Sequence, residues 1–171
     1  MTAGRYEFGA NWMDYLGVVN ESKVSLSQSK LANLVGDISG KTFLDIGSGS
    51  GIHSLSALRL NAKRVVAFDY DPVSVQASQA LLEHYAPGMN WEVTRGDILA
   101  ETVQEKFDIV YSWGVLHHTG DMWTALDKAQ ALCVPGGLLA VALYLRTPCC
   151  TFWKFEKKLY SNYKALRPFL K

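Results

Sequence analysis

The sequence predicts an α/β fold, namely a doubly wound, mostly parallel β-sheet of about five strands with helices on both faces. Residues 42–54, TFLDIGSGSGIHS, combine a short apolar strand, a glycine-rich turn and the start of a helix. This is the first βα unit of a nucleotide-binding sheet. Further apolar runs of strand length alternate with helical patterns along the chain. A length of 171 residues suits one domain with its own core.

Composition and charge are those of an ordinary globular protein. The chain is 49% apolar and 19% charged with a net charge of +1, which argues against disorder and against a generally basic nucleic-acid binder. No apolar run approaches the roughly 18 residues of a membrane span, and no signal-peptide pattern opens the chain. The 3 cysteines show neither metal-ligand spacing nor a disulfide framework. We therefore expect a cytoplasmic protein without a transmembrane segment.

Residues 1–40 are expected to form a helical cap segment ahead of the sheet. Part of a helical stripe of leucine and valine lies between about 25 and 37, and aromatic residues are concentrated before it. These aromatics either pack against the sheet or form a lid over the ligand. In the second interpretation Phe8, Asn11 or Trp12 contacts the ligand.

The glycine-rich turn, residues 47–51, follows the first strand and leads into a helix from about Ile52. Glycine permits positive φ and lets a flat ligand approach the backbone closely. The helix that follows directs free N–H groups and a positive dipole end at that ligand. A dinucleotide motif needs its third glycine at position 52. Because residue 52 is isoleucine, an NAD-dependent oxidoreductase is the least favoured function.

The second predicted strand, residues 64–69, ends in an acid. Asp69 lies about 20 residues past the glycine turn, an offset that places its carboxylate where it can accept two ribose hydroxyls. The pair Asp71-Pro72 supplies the N-cap and first turn of the next helix, which leaves Asp69 available for a ligand. Tyr70 is placed to lie against an adenine edge.

The rest of the chain continues the alternation of strands and helices. Helices are predicted over 72–85 and 121–133, and strands over 91–94, 107–111 and 138–144, the last after a tight turn at 134–137. The third of the five strands, residues 91–94, is short and is expected at an edge of the sheet.

Five short motifs occur in a fixed order over roughly residues 40–145. They are Asp45 with Gly47, Gly49 and Gly51; Asp69; Gly96-Asp97-Ile98; Ser112-Trp113 followed by Leu116-His117-His118; and Pro135-Gly136-Gly137. As a set they resemble the class I S-adenosylmethionine-dependent methyltransferases of the small-molecule type. The resemblance implies a Rossmann-like sheet whose first and fourth strands are neighbours at the ligand-binding switch point. It also implies a cofactor-binding domain over residues 41–146.

The resemblance implies S-adenosyl-L-methionine as cofactor, S-adenosyl-L-homocysteine as product and a small-molecule methyl acceptor. The implied cofactor-binding residues are Asp45, Gly47, Ser48, Gly49, Asp69, Tyr70, Gly96, Asp97, Ile98, Ser112 and Trp113. In this family the acid corresponding to Asp97 contacts the adenine amino group, and the backbone amide of the next residue meets a ring nitrogen. The turn after the fourth strand borders the methionine part of the cofactor and the acceptor.

His118 is the candidate catalytic base, since it follows the turn that borders the cofactor. The acid that usually precedes such a histidine in the family is replaced by His117, so no metal is expected. His53, at the start of the first helix after the turn, is expected to face solvent or the loop. A nucleic-acid acceptor is not expected, because the Asn/Asp-Pro-Pro-aromatic motif is absent after the fourth strand.

Two functions within the family stay open: an active methyltransferase and a cofactor-binding domain that is inactive or depends on a partner. The family's sheet usually has two further strands, whereas residues 147–171 predict a single basic amphipathic helix. The fifth strand is then an apolar edge, which proteins normally protect. We expect either that helix, self-association or a missing C-terminal part of a longer protein to cover it.

Overall fold

The computed structural model describes residues 9–100 and 103–144. The helices are α1 (Gly9–Leu16), α2 (Glu21–Val35), α3 (Ile52–Arg59), α4 (Pro72–Tyr85) and α5 (Met122–Ala131). The strands are β1 (Thr42–Ile46), β2 (Arg64–Asp69), β3 (Trp91–Arg95), β4 (Phe107–Trp113) and β5 (Cys133–Ala142). Short 3₁₀ turns occur at Ile98–Ala100 and Leu116–His118. The helix predicted over 147–171 and the candidate lid residue Phe8 lie outside the described residues.

The five strands form one parallel sheet in the order β3-β2-β1-β4-β5. This confirms the predicted fold class, with β3 at one edge and β1 beside β4. The order reverses between β1 and β4, because β2 and β3 lie to one side of β1 while β4 and β5 lie to the other. Such a reversal opens a crevice at the carboxyl ends of the strands, where ligands bind in open α/β sheets.

Both faces of the sheet are covered, which explains why its central strands are apolar almost without interruption. Neighbouring residues of β1 face opposite sides. Phe43 packs with α2, α3 and α4, whereas Leu44 packs with Val110 and with α5. Phe43 and Leu44 are both completely buried. This two-sided packing fixes β1 rigidly beneath the glycine turn.

The fifth strand differs from its prediction. It begins at Cys133 instead of residue 138, and the expected tight turn at 134–137 is a bulge inside the strand. Cys133 pairs with Phe107, and Leu138 already pairs with Ile109. Gly136, with φ of +78°, supplies the backbone conformation that the bulge needs. As predicted, β5 forms an edge of the sheet, and no helix in the described ranges has the length and apolarity to cross a membrane.

Candidate functional site

A cleft of about 640 Å³ lies at the carboxyl edge of the sheet, where the strand order reverses. Most residues predicted to bind the cofactor line it, together with the candidate base: Gly47, Gly49, Asp69, Tyr70, Gly96, Asp97, Ile98, Trp113 and His118. These residues come from the ends of β1, β2, β3 and β4. The parallel sheet brings them together because all four strands end at the same edge.

The glycine turn after β1 is held in place by its own hydrogen bonds. The N–H groups of Gly47 and Ser48 both donate to the Phe68 carbonyl, at 2.8 and 3.1 Å. A Cβ on Gly47, whose φ is +79°, would lie 2.4 Å from a Val115 methyl carbon. A Cβ on Gly51 would lie 2.9 Å from the α-carbon of a residue in α4. Both positions therefore require glycine for conformation and for space.

Asp69, at the end of β2, connects this turn to the cleft. One carboxylate oxygen accepts the Gly49 N–H at 2.9 Å, and the other accepts the Asp71 N–H at 3.0 Å. Burial raises the pKa of Asp69, and these two hydrogen bonds oppose the rise. A carboxylate offers about four lone-pair sites, so capacity remains for hydroxyl groups of a ligand in the cleft.

Helix α1 covers one side of the cleft. Asn11 and Trp12 line it, as the lid interpretation requires. The indole of Trp12 lies against the glycine turn, since a Cβ on Gly49 would come within 2.9 Å of its ring. The start of α1 is tied to the N-terminus of α4, where the Gly9 N–H donates to the Asp71 carboxylate at 2.6 Å.

Asp71 itself caps α4, as predicted. Its carboxylate accepts the Val73 N–H at 3.0 Å and the Ser74 hydroxyl at 3.1 Å. A Cβ on Gly9 would lie 2.3 Å from Val73 Cβ, so only glycine lets α1 approach so closely. No local sequence pattern indicates this contact, because Gly9 and Asp71 lie in separate segments of the chain.

Three predicted cofactor residues do not line the cleft. Asp45 is 2% exposed and accepts the Ser54 hydroxyl at 2.6 Å. Burial raises its pKa to about 7, although the Ser54 hydrogen bond opposes this. The buried Ser112 hydroxyl donates to the Ile46 carbonyl at 2.9 Å. The Ser48 hydroxyl lies 2.9 Å from that of a serine in α4, Ser78. Their side chains support the turn from beneath instead of facing a ligand.

The expectation that His53 faces solvent or the loop is wrong. Its Nδ1 lies 3.1 Å from the Tyr111 hydroxyl. Burial, with a smaller effect of Lys30, lowers its pKa to about 4, so the ring is neutral at pH 7. Tyr111 and Trp113 stack with ring centroids 6.2 Å apart and planes 10° apart. Their i, i+2 spacing on β4 is the sequence signal that places both on one face.

His118 lines the cleft beside Tyr144 and is partly buried, which lowers its pKa. Its ring centroid lies 3.9 Å from that of His117. Both ring nitrogens of His117 are buried and have no hydrogen-bond partner within 9–100 and 103–144. Burial and the neighbouring His118 lower the pKa of His117. A neutral imidazole in the cleft is a suitable proton acceptor near pH 7.

The cleft fits an adenosyl ligand with an amino-acid tail. Phe68 and Ile98 give it an apolar wall for a flat ring, and Asp69 and Asp97 give acceptors for ribose hydroxyls and a ring amino group. Gly47 and Gly49 of the glycine turn border the cleft without side chains, so a polar tail can lie close to the backbone there. The acids at this end also suit a ligand that carries a positive charge.

Comparisons with known proteins agree with this geometry. Residues 44–139 match the family model described as a methyltransferase domain. The chain is 28% identical over 127 residues to a ubiquinone biosynthesis O-methyltransferase of Brucella ovis, covering 74% of this chain and 50% of the relative. It thus spans about half the length of that curated relative.

Two solved structures have a similar fold. A protein of Methanococcus maripaludis assigned as an S-adenosylmethionine-dependent methyltransferase superposes with a TM-score of 0.69 at 18% identity, covering 95% of this chain and 76% of that one. Magnesium protoporphyrin IX methyltransferase from Synechocystis, solved with bound S-adenosylhomocysteine, gives 0.67 at 21% identity, covering 89% and 75%. At these identities the likeness concerns the fold.

Proposed function

The chain belongs to the class I S-adenosylmethionine-dependent methyltransferases, and we propose that it transfers a methyl group to a small-molecule acceptor. The position of Asp69 carries the proposal. Its carboxylate bridges the glycine turn and the second strand while facing the cleft. The Asp69 carboxylate suits a ligand with two hydroxyls, and the adjacent glycine turn suits an amino-acid tail on the same ligand.

The proposed cleft has two ends. The donor end is formed by Asp69, Asp97 and Ile98 after β2 and β3, and the acceptor end by Trp113, His118 and Tyr144 after β4 and β5. At the donor end Asp69 would accept hydrogen bonds from the ribose hydroxyls, Asp97 would accept one from the adenine amino group, and the backbone N–H of Ile98 would donate one to the ring. The glycine turn holds the amino-acid tail.

S-adenosylmethionine, when bound, supplies a methyl group on a positively charged sulfur that keeps the bonding electron pair when the methyl leaves. The protein's contribution is alignment, since holding the acceptor atom about 3 to 3.5 Å from the methyl and in line with the breaking bond supplies much of the rate. His118 takes the proton from an acceptor hydroxyl as the new bond forms. Its lowered pKa favours the neutral imidazole, the form that accepts a proton, near neutral pH.

The coverage of the curated relative favours a second candidate. Because the chain corresponds to half of that protein, it is also proposed as a cofactor-binding domain that needs further residues or a partner for turnover. The relative's name states O-methylation in ubiquinone biosynthesis, which makes hydroxyl acceptors the first to test.

Calorimetry with S-adenosylmethionine, S-adenosylhomocysteine and NAD tests the proposal. Binding of both sulfur compounds without NAD supports it, whereas NAD binding alone overturns it. Formation of S-adenosylhomocysteine with a panel of hydroxyl, amine and carboxyl acceptors then separates the two candidates. Turnover by the chain alone supports the active enzyme, and donor binding without turnover supports the partner-dependent domain.

A further inference from the structure

Charge is distributed unequally along the cleft. Its three carboxylates, Asp69, Asp71 and Asp97, follow β2 or β3, at or next to the donor end. No lysine or arginine of the described ranges lines the cleft. Arg95 lies outside it, with its guanidinium carbon 5.8 Å from the centroid of the Tyr70 ring. The described side chains of the cleft therefore offer an anionic acceptor no balancing cation, and the carboxylates farther along the cleft disfavour its binding.

The acceptor end is aromatic. Trp113 is 49% exposed and Tyr144 is 67% exposed, and both line the cleft with Val115. Large exposed aromatic surfaces at a cleft are typical of binding sites, because burying them against a ligand is favourable. Their flat faces suit a planar ring, which stacks on them more favourably than a saturated one does.

Both rings are held in position by the protein. Trp113 stacks on Tyr111, and the His53 ring lies edge-on with its centroid 6.3 Å from that of Trp113. Tyr144 lies over the backbone of Gly114, where an added Cβ would come within 2.9 Å of the phenol oxygen. Lys30 acts on His53 electrostatically but does not line the cleft. A wall whose rings are positioned in this way selects by shape.

We propose that the methyl acceptor is a flat aromatic molecule that carries a hydroxyl group and no anionic substituent. The proposal rests on the methyl transfer described above. The ring stacks against Trp113 and its hydroxyl faces His118. The acceptor oxygen would form a C–O bond to the methyl group as the S–CH₃ bond of the donor breaks, and the electron pair of that bond would stay on the sulfur as a neutral thioether. The hydroxyl proton would pass to the His118 imidazole and then to water.

Binding to the full 171-residue chain saturated with S-adenosylhomocysteine tests this proposal. Three probes share one skeleton: 2-naphthol, 6-hydroxy-2-naphthoate and decahydro-2-naphthol. The first should bind, and the carboxylate analogue should bind roughly tenfold or more weakly, because it carries a negative charge that no described side chain of the cleft balances. The saturated analogue should bind roughly threefold or more weakly, because it cannot stack. Equal or tighter binding of either analogue, or no binding of 2-naphthol, overturns the proposal.

Variants at two tryptophans locate the site. Trp113→Leu should weaken 2-naphthol roughly tenfold and S-adenosylhomocysteine less, while Trp113→Phe retains most of the affinity. Trp123→Leu, at a side chain 69% exposed on α5, is the matched control and should change neither. An unchanged 2-naphthol affinity in Trp113→Leu overturns the proposal. Failure of S-adenosylhomocysteine to bind the wild type overturns the methyltransferase proposal itself, so the two failures are distinguishable.

Discussion

Replacement of Asp69 by asparagine removes the negative charge at the donor end while keeping the size of the side chain. In the wild type each carboxylate oxygen accepts one backbone N–H, from Gly49 at 2.9 Å and from Asp71 at 3.0 Å. An amide has one acceptor oxygen, so its NH₂ group would face one of these two N–H donors. Asp69→Asn therefore affects both the turn and the ligand.

The magnitude follows from the lost hydrogen bonds. A hydrogen bond to a charged group contributes roughly 1.5–3 kcal/mol, which corresponds to a roughly 10- to 150-fold loss of donor affinity. The unpaired N–H at Gly49 or Asp71 should also lower the free energy of unfolding by about 1–3 kcal/mol. Isothermal titration with S-adenosylhomocysteine measures the first effect, and urea unfolding measures the second.

Asp108→Asn is the control for the same substitution away from the cleft. Asp108 also accepts two hydrogen bonds, from the Thr42 N–H at 2.8 Å and the Thr42 hydroxyl at 2.7 Å, but both go to one carboxylate oxygen, at the amino end of β4. Because an asparagine oxygen can accept both, this variant should lose less stability than Asp69→Asn and keep its donor affinity within about twofold. If Asp69→Asn loses stability but keeps wild-type affinity, Asp69 does not hold the ligand and the assignment is wrong.

Three further outcomes are expected. Gly9→Ala should detach α1 from Val73, which should lower donor affinity in titration and speed proteolysis of the N-terminus. Gly17→Ala is the control and should do neither, because a Cβ there would come no closer than 3.4 Å to its nearest neighbour. Asp45→Asn should have about the same free energy of unfolding as the wild type at pH 4. At pH 8 its free energy of unfolding, measured in urea, should be higher than that of the wild type by on the order of 4 kcal/mol. The pKa of Asp45 is raised from 3.8 to about 7 in the folded protein. The protonated carboxyl therefore contributes its full stability below pH 3.8, and this contribution is lost as the pH rises through 7. His118→Gln should lower kcat roughly 10²- to 10⁴-fold. In the wild type kcat should fall below pH 6.5 as His118 is protonated, and the variant should not show this fall. If kcat of the variant still falls at low pH, His118 is not the base.

Local signals made much of the fold predictable. The bounds of β2 and α4 are those predicted, because an apolar run ends at Asp69 and the Asp71-Pro72 pair starts the helix. Helix α2 begins earlier than the stripe indicated, at Glu21, where the Asn20 side chain caps it. The spacing from the glycine turn to Asp69 placed the carboxylate correctly because strand and helix geometry fix that distance.

Features that depend on distant partners were not predictable in this way. The position of His53 on α3 depends on the Tyr111 hydroxyl, which belongs to β4. The start of β5 depends on pairing between Cys133 and Phe107 and on the bulge that follows. The burial of Asp45 likewise required the packing of the helix that carries its partner, Ser54. Each of these is set by tertiary contacts, on which the neighbouring sequence carries little information.

Hydrogen bonds from the glycine turn to the end of β2 have a thermodynamic consequence for recognition. Fixing a flexible backbone removes conformational entropy worth roughly 1–2 kcal/mol per residue. Here the bonds to Phe68 and Asp69 have already fixed the turn during folding. A ligand that enters the cleft therefore does not have to order the turn. Its contacts with the turn contribute to the binding free energy with little loss of backbone entropy.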